Sequence, residues 1–290
     1  DINTLRNIAS TKATSDVILV KPANTYRVRW DMNTDTPLPP DEPAGQNPPD
    51  GAIIDYYLKN NSNEVTLEIF DSANKLIRKY SSNETPYKMP EVNVPLYWIR
   101  PQQILSASAG AHRFIWDLHY EPLNEVISFP MTAVYMNTSP RINSPWVLPG
   151  VYTVQLIVND KAYKQTLKIK MDPRVTMPTT ALKQQLDLSL QCYNGQKACM
   201  QFSKEITDFR DSLKIVHNNV AVEKLDTAVA LLQNNSAKGS LSFAKLNGDF
   251  ASVFNILQDA DVAPTQRSID AIKQLQKNLQ TLEEKWRQLK

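Results

Sequence analysis

The sequence predicts an α+β chain of two domains: an Ig-like or fibronectin-like β-sandwich over residues 1–175, then an antiparallel four-helix bundle over residues 176–290. Three observations predict it. Apolar residues alternate with polar ones up to about residue 171 and recur every three or four positions afterwards, the periods of a strand and of a helix. The two regimes meet at Asp172 and Pro173, and a proline cannot donate to a strand ladder. Of 19 prolines, 18 precede residue 180, which gives the first half stiff connections between short strands.

The totals agree with this reading. A chain of 290 residues accommodates two domains. Hydrophobic residues make up 42% and charged residues 21%, enough apolar material to bury real cores. A net charge of +2 makes no case for nucleic acid as a partner. No apolar run reaches the length of a membrane span. The chain starts without Met and without a signal peptide, as expected of a processed protein or a portion of a longer one.

Residues 1–16 are polar, and DINTLRNIAS fits one helical turn. Residues 17–20 and 26–32 read as short strands. In the second, Tyr26, Val28 and Trp30 alternate with Arg27, Arg29 and Asp31, an apolar face opposite a charged one. Then comes PLPPDEPAGQNPPDGAIIDYYL, residues 37–58, in which seven of the first thirteen positions are Pro or Gly. Such backbone is stiff, so the loop is expected to be ordered and to deliver, after Gly51, the strand Ala52–Leu58. Residues 64–71 and 75–81 follow as a hairpin. Val65, Leu67 and Ile69 share one face, and Asp71 to Asn74 supply the turn. Residues 111–118 form a strand with Phe114 and Trp116 on one face. Residues 151–158 and 162–171 form a second hairpin around Asn159 and Asp160, which tolerate the positive φ of a tight turn.

Pro178 and Thr179 resemble a helix start. Leu182, Leu186, Leu190 and Tyr193 form a stripe that Gly195 interrupts. Cys199, Phe202, Ile206, Phe209, Leu213 and Val216 continue at helical spacing. Val222, Leu225, Val229 and Leu232 mark a second helix. Leu246, Phe250, Val253 and Leu257 mark a third. Pro264 opens a fourth with Ile272, Leu275, Leu279, Leu282, Trp286 and Leu289. These stripes predict bundle cores, with Phe209 and Trp286 inside. Cys192 and Cys199 are seven apart, ~10.5 Å of helical rise, too far for a disulfide. Two free thiols are expected.

Candidate chemistry is sparse. Glycoside hydrolysis needs two carboxyl groups ~5–10 Å apart. Asp31, Asp35, Asp41, Glu42, Asp50 and Asp55 crowd one region, but their spacing fixes no pair, and turn or cap roles are the competing reading. No calcium loop of the D-x-D-x-D-G type is present. His112 and His119 bracket a strand on opposite faces, and His217 stands apart, so no shared metal is indicated. There is no nucleophile elbow, dinucleotide fingerprint or phosphate loop. No catalytic, cofactor-binding or metal residue is assigned, and no cofactor is implied. Tyr56, Tyr57, Tyr87, Tyr97, Trp98, Trp116, Tyr120, Tyr135 and Trp146 all lie in the β half. They read as sandwich core, as an interface, or as a platform for sugar rings.

PAGQNPPDGAIIDYYL followed by EVTLEIFDSANKLIRKYSS resembles the region that follows the β-propeller in large bacterial BNR-repeat proteins. These are relatives of the sortilin-like propellers and often carry a glycosyl-hydrolase-like label. LYWIRPQQILSASAGAHRFIWDL, LPGVYTVQLIVNDKAYKQTLKIKMDPRV and LNGDFASVFNILQDADVAPTQ extend the resemblance in order along most of the chain. EVTLEIFDSANKLIRKY also resembles the FlgD-type Ig-like domain. Nothing resembles the S-x-D-x-G-x-T-W box of propeller blades, so no propeller activity carries onto these residues. The resemblance implies a non-catalytic structural or interaction module of a larger exported, periplasmic or secreted protein, with an upstream β-propeller of the same polypeptide as partner. The alternative is a carbohydrate-binding accessory module of a glycan-processing enzyme, with a glycan as ligand.

Overall fold

A computed structural model describes residues 3–11, 15–29, 43, 49–89, 91, 95–123, 142–214, 229, 232 and 241–289. Within them the chain is α+β and divides into two compact units, Asp1–Val175 and Thr176–Lys290. Most of the proline loop lies outside these residues, as do Trp30, Tyr135, His217 and the start of the second bundle helix.

The first unit opens with helix α1, Asn3–Thr11. Eight strands follow: β1 Val17–Leu19, β2 Thr25–Arg27, β3 Ala52–Leu58, β4 Val65–Phe70, β5 Leu76–Ser81, β6 Gly110–Trp116, β7 Gly150–Val158 and β8 Lys161–Met171. They make a three-stranded sheet in the order β1-β3-β6 and a five-stranded sheet in the order β2-β8-β7-β4-β5. Every described pairing is antiparallel except β2 with β8. The chain thus changes sheets between β1 and β2, across Pro22.

Turn chemistry fixes the hairpin registers. The Asp71 carboxylate accepts from the backbone N–H groups of Ala73 and Lys75, both at 2.9 Å, and Asn74 takes the left-handed φ of 60°. Asn159 and Asp160 sit at φ 48° and 62°, the two-residue primed turn that matches strand twist. Alternation then sends Val65, Leu67 and Ile69 inward with Ile54, Tyr56, Trp116, Val154, Leu156 and Leu167, so that residues of both sheets share one core. Trp116 is fully buried, and its indole N–H donates to the His119 carbonyl at 3.0 Å.

Strand β2 reverses the sequence expectation. Tyr26 is 50% exposed and Arg27 only 2%. The Arg27 guanidinium donates to the Val147 carbonyl at 2.9 Å and lies 5.6 Å from the Trp146 ring. Parallel pairing places Tyr26 opposite Lys170. A charge with a hydrogen bond and an aromatic neighbour is thus buried while an amphipathic ring stays in water.

The second unit contains α2 Thr179–Lys214, α3 Phe243–Asp259 and α4 Gln266–Leu289. Val229 and Leu232 are also helical and buried. Ser242 caps α3 by accepting from the Lys245 N–H at 3.1 Å. Contacts fix the helix directions. Gln185 near the start of α2 reaches Leu257 near the end of α3, and Phe202 stacks on Phe243 at 5.2 Å. Phe209 meets Trp286 at 5.5 Å near the ends of α2 and α4. Helices α2 and α4 therefore run parallel, and α3 runs against both. Trp286 is 1% exposed, whereas Phe209 is half-buried at the core's margin.

Helix α2 runs unbroken through Gly195, and its expected stripe is buried at Leu182 and Tyr193 but not between them. Leu186 and Leu190 are half-buried, whereas Gln185, Ser189, Cys192, Gln196 and Cys199 face the core. In α3, Phe254 takes the buried place expected of Val253.

Candidate functional site

Of the candidate carboxylates, only Asp50 and Asp55 lie among the described residues, and those two stand apart. Asp31, Asp35, Asp41 and Glu42 lie outside the described residues. Asp55 stands three residues into β3, about 10 Å from its start, whereas Asp50 precedes that start. Asp55 is consumed by structure. Arg113 on β6 donates to its two oxygens at 2.8 and 3.0 Å, and the Thr4 hydroxyl of α1 donates to it at 2.7 Å. Beside this pair, Ile8 of α1 covers Ile18, Val20 and Tyr57 on the outward face of the three-stranded sheet. The Asp50 carboxyl is raised by burial, against the lowering charge of Arg100.

The two described histidines, His112 and His119, have separate partners. His112 bonds the Ser108 carbonyl at 2.7 Å and lies 5.1 Å from the Tyr56 ring. His119 is buried beyond the end of β6, with Nδ1 donating to the Asp117 carbonyl at 2.8 Å and its ring 4.1 Å from Trp146. Burial holds its pKa below the usual histidine value; the Asp117 carboxylate opposes that shift, and Arg29 and Arg27 add to it. Among the described residues no three His, Cys, Asp or Glu side chains group as metal ligands. Cys192 and Cys199 are buried free thiols pushed up to about 12 by desolvation, which leaves little thiolate for nucleophilic or metal chemistry.

The aromatics divide by position. Tyr56, Tyr57 and Trp116 are buried, and Trp98, Tyr120 and Trp146 are partly so. The Tyr56 hydroxyl donates to the Ser106 carbonyl at 2.7 Å and is raised to about 12 by burial. Tyr97 is 66% exposed beside Leu96 at 63%, on a short 3-10 turn, Leu96–Trp98. Tyr87 is half-buried.

Two surface features sequence reasoning passed over. One is an open cleft of about 470 Å³ between α1, β1 and β8, lined in part by Asn7, Leu19, Lys21, Tyr163, Lys164 and Gln165. Gln165 bridges it by donating to the Leu19 carbonyl at 3.2 Å. The other is the outward face of the five-stranded sheet, where Tyr26 joins a row of lysines from β8. The signal was present in KAYKQTLKIKM, whose lysines at 164, 168 and 170 share a parity.

Comparison of the chain with protein-family models, with curated proteins and with solved structures gives no match. Among the described residues no helix is long and apolar enough to cross a membrane.

Proposed function

We propose that the chain is a non-catalytic structural module of a larger exported protein, in which it follows a β-propeller of the BNR-repeat, sortilin-like kind. The observation that carries this reading is the engagement of the chemistry-bearing side chains described above. Asp55 is held by Arg113 and Thr4, His119 is locked beneath Trp146, both thiols are buried, and the large aromatics largely fill the core.

In this reading the first unit is an Ig-like β-sandwich. The two strand orders support it, as does the crossing of the first strand segment from one sheet to the other. So does Tyr152, near the start of β7, whose hydroxyl donates to the Leu148 carbonyl four residues back at 2.7 Å, the arrangement of a tyrosine corner. The second unit is a four-helix bundle, completed by the segment that contains Val229 and Leu232. The packing of α3 against α2 and α4, antiparallel to both, supports it.

Sequencing the gene upstream of Asp1 tests the proposal. Propeller blades with S-x-D-x-G-x-T-W boxes behind an export signal are the expected result. A gene product lacking a propeller overturns it. A second reading, carbohydrate binding, is favoured by one observation: Tyr26 is an exposed aromatic ring on an otherwise lysine-rich sheet face.

A further inference from the structure

The five strands of the larger sheet carry many basic residues but a single carboxylate, Glu68. Alternation places Lys164, Lys168 and Lys170 of β8 on the outward face. They form a stripe about 20 Å long at 3.3 Å per residue. Lys164 and Lys168 are exposed and Lys170 is half-buried. Lys164 begins a cross-strand row that runs through Gln155 and Glu68 to Lys79. Within that row Glu68 is already engaged, accepting from Gln155 at 3.0 Å and pairing with Lys79 at 3.5 Å. The three β8 lysines therefore present a positive field that no carboxylate of the sheet answers.

Between them lie apolar surfaces. Val151 is opposite Lys168 and 51% exposed. Tyr26 is opposite Lys170, whose ammonium lies 5.6 Å from its ring. The strands that carry Val151 and the lysines are bonded to neighbours within the sheet, so the face offers side chains and not a free backbone edge. A polymer recognised here must carry negative charge at intervals and flat apolar surfaces between the charges. Acidic polysaccharides have this chemistry, because each uronic acid unit joins a carboxylate to a pyranose face that stacks on an aromatic ring.

We propose that this face binds an acidic polysaccharide, with Lys164, Lys168 and Lys170 pairing its carboxylates and Tyr26 stacking on a sugar ring. The proposal rests on the carbohydrate-binding reading and is independent of an upstream propeller.

Titration of the full chain with polygalacturonate by calorimetry at low and high salt tests it, with dextran, polyglutamate and anionic phosphatidylserine vesicles as comparisons. Polygalacturonate should bind and weaken with salt, and dextran should not bind. Lys164→Gln, Lys168→Gln and Lys170→Gln together should lower affinity about tenfold or more, from three exposed ion pairs. These substitutions sit on the surface, and an unchanged melting temperature certifies the fold. Tyr26→Ala should weaken binding several-fold and equally at both salt concentrations. Absence of polygalacturonate binding, or binding that the triple variant leaves intact, overturns the proposal. Equal affinity for polyglutamate would reduce the face to a general polyanion surface, and stronger binding of the vesicles would reassign it to a membrane; either result also overturns it. A propeller upstream of Asp1 bears on none of these outcomes.

Discussion

Gly51 has a φ of 129°, and a Cβ built on it would lie 2.1 Å from the carbonyl oxygen of Trp116. The obstacle is backbone, so no rotamer change relieves it. Gly51→Ala adds the strain of that φ to the overlap and should destabilise by more than about 2 kcal/mol in urea denaturation. A loss below about 0.5 kcal/mol would show that the entry to β3 is not held as described. His119 is the residue whose titration should show in stability. Its folded pKa lies below the usual value of about 6.5, so the unfolded chain takes up the proton first. Its contribution is complete above the usual histidine range and is lost as pH falls through that range toward the depressed value. The slope reaches at most about 1.4 kcal/mol per pH unit. His119→Asn keeps a donor toward the Asp117 carbonyl and should flatten the stability profile between pH 7 and 5, measured by denaturant midpoints. An unchanged slope would mean that the imidazole is accessible to protons in the folded state. Residue by residue, β2 was the least legible segment. Alternation of Tyr26 with Arg27 gave the strand but inverted its faces, because the partners that bury Arg27, Val147 and Trp146, lie about 120 residues away in sequence.

Helix α2 shows the same limit at the scale of an element. Its existence was plain from spacing, but which side faces the core was only half legible, because Gln185 and Ser189 are buried where Leu186 and Leu190 were expected, between the buried Leu182 and Tyr193. The Gln185 amide donates to the carbonyls of Leu257 and Ala260 at 2.7 and 2.6 Å, and Ser189 accepts from Gln258 at 2.7 Å. The Gln185 amide thus satisfies carbonyls that the end of α3 leaves open, and Ser189 engages the side chain of Gln258. Gln185→Leu makes the stripe more apolar yet should cost about 1–3 kcal/mol, since the carbonyls stay buried without that donor. A stabilised Gln185→Leu variant in chemical denaturation would contradict this. Gly195 has a packing cause of the same kind. A Cβ there would meet the Phe250 ring at 2.5 Å. Alanine brings about 1 kcal/mol of helix propensity, against an overpacking cost of about 1–3 kcal/mol. Gly195→Ala should therefore destabilise on balance, and adding Phe250→Leu should recover part of the loss. Gly195→Ala as stable as the parent would mean that the ring moves aside freely.

For the whole molecule, the change of period was the most legible feature. Strand β8 ends at Met171 and α2 begins at Thr179, on either side of the segment where alternation stops. Local propensity carries this information, because a strand and a helix each state their period within a few residues. Surface chemistry was less visible, since the lysine-and-tyrosine face depends on the parallel pairing of β2 with β8, which joins residues some 145 positions apart. Long-range pairing of that kind leaves no local trace. The two compact units enclose separate apolar cores. One is centred on residues such as Trp116 and Leu156, the other on residues such as Phe250 and Trp286. Separate cores predict separate responses to damage. Leu156→Ala should remove about 2–5 kcal/mol from the first unit and Trp286→Ala about 3–5 kcal/mol from the second. The indole N–H resonance of Trp116 would follow the first unit. Methyl resonances of Leu182, Leu246 and Leu275 would follow the second. Leu156→Ala should shift the Trp116 transition to lower denaturant and leave those methyl transitions in place, and Trp286→Ala should do the reverse. If either substitution moves both probes equally, the chain unfolds as one cooperative body, and the separateness of the cores has no energetic counterpart.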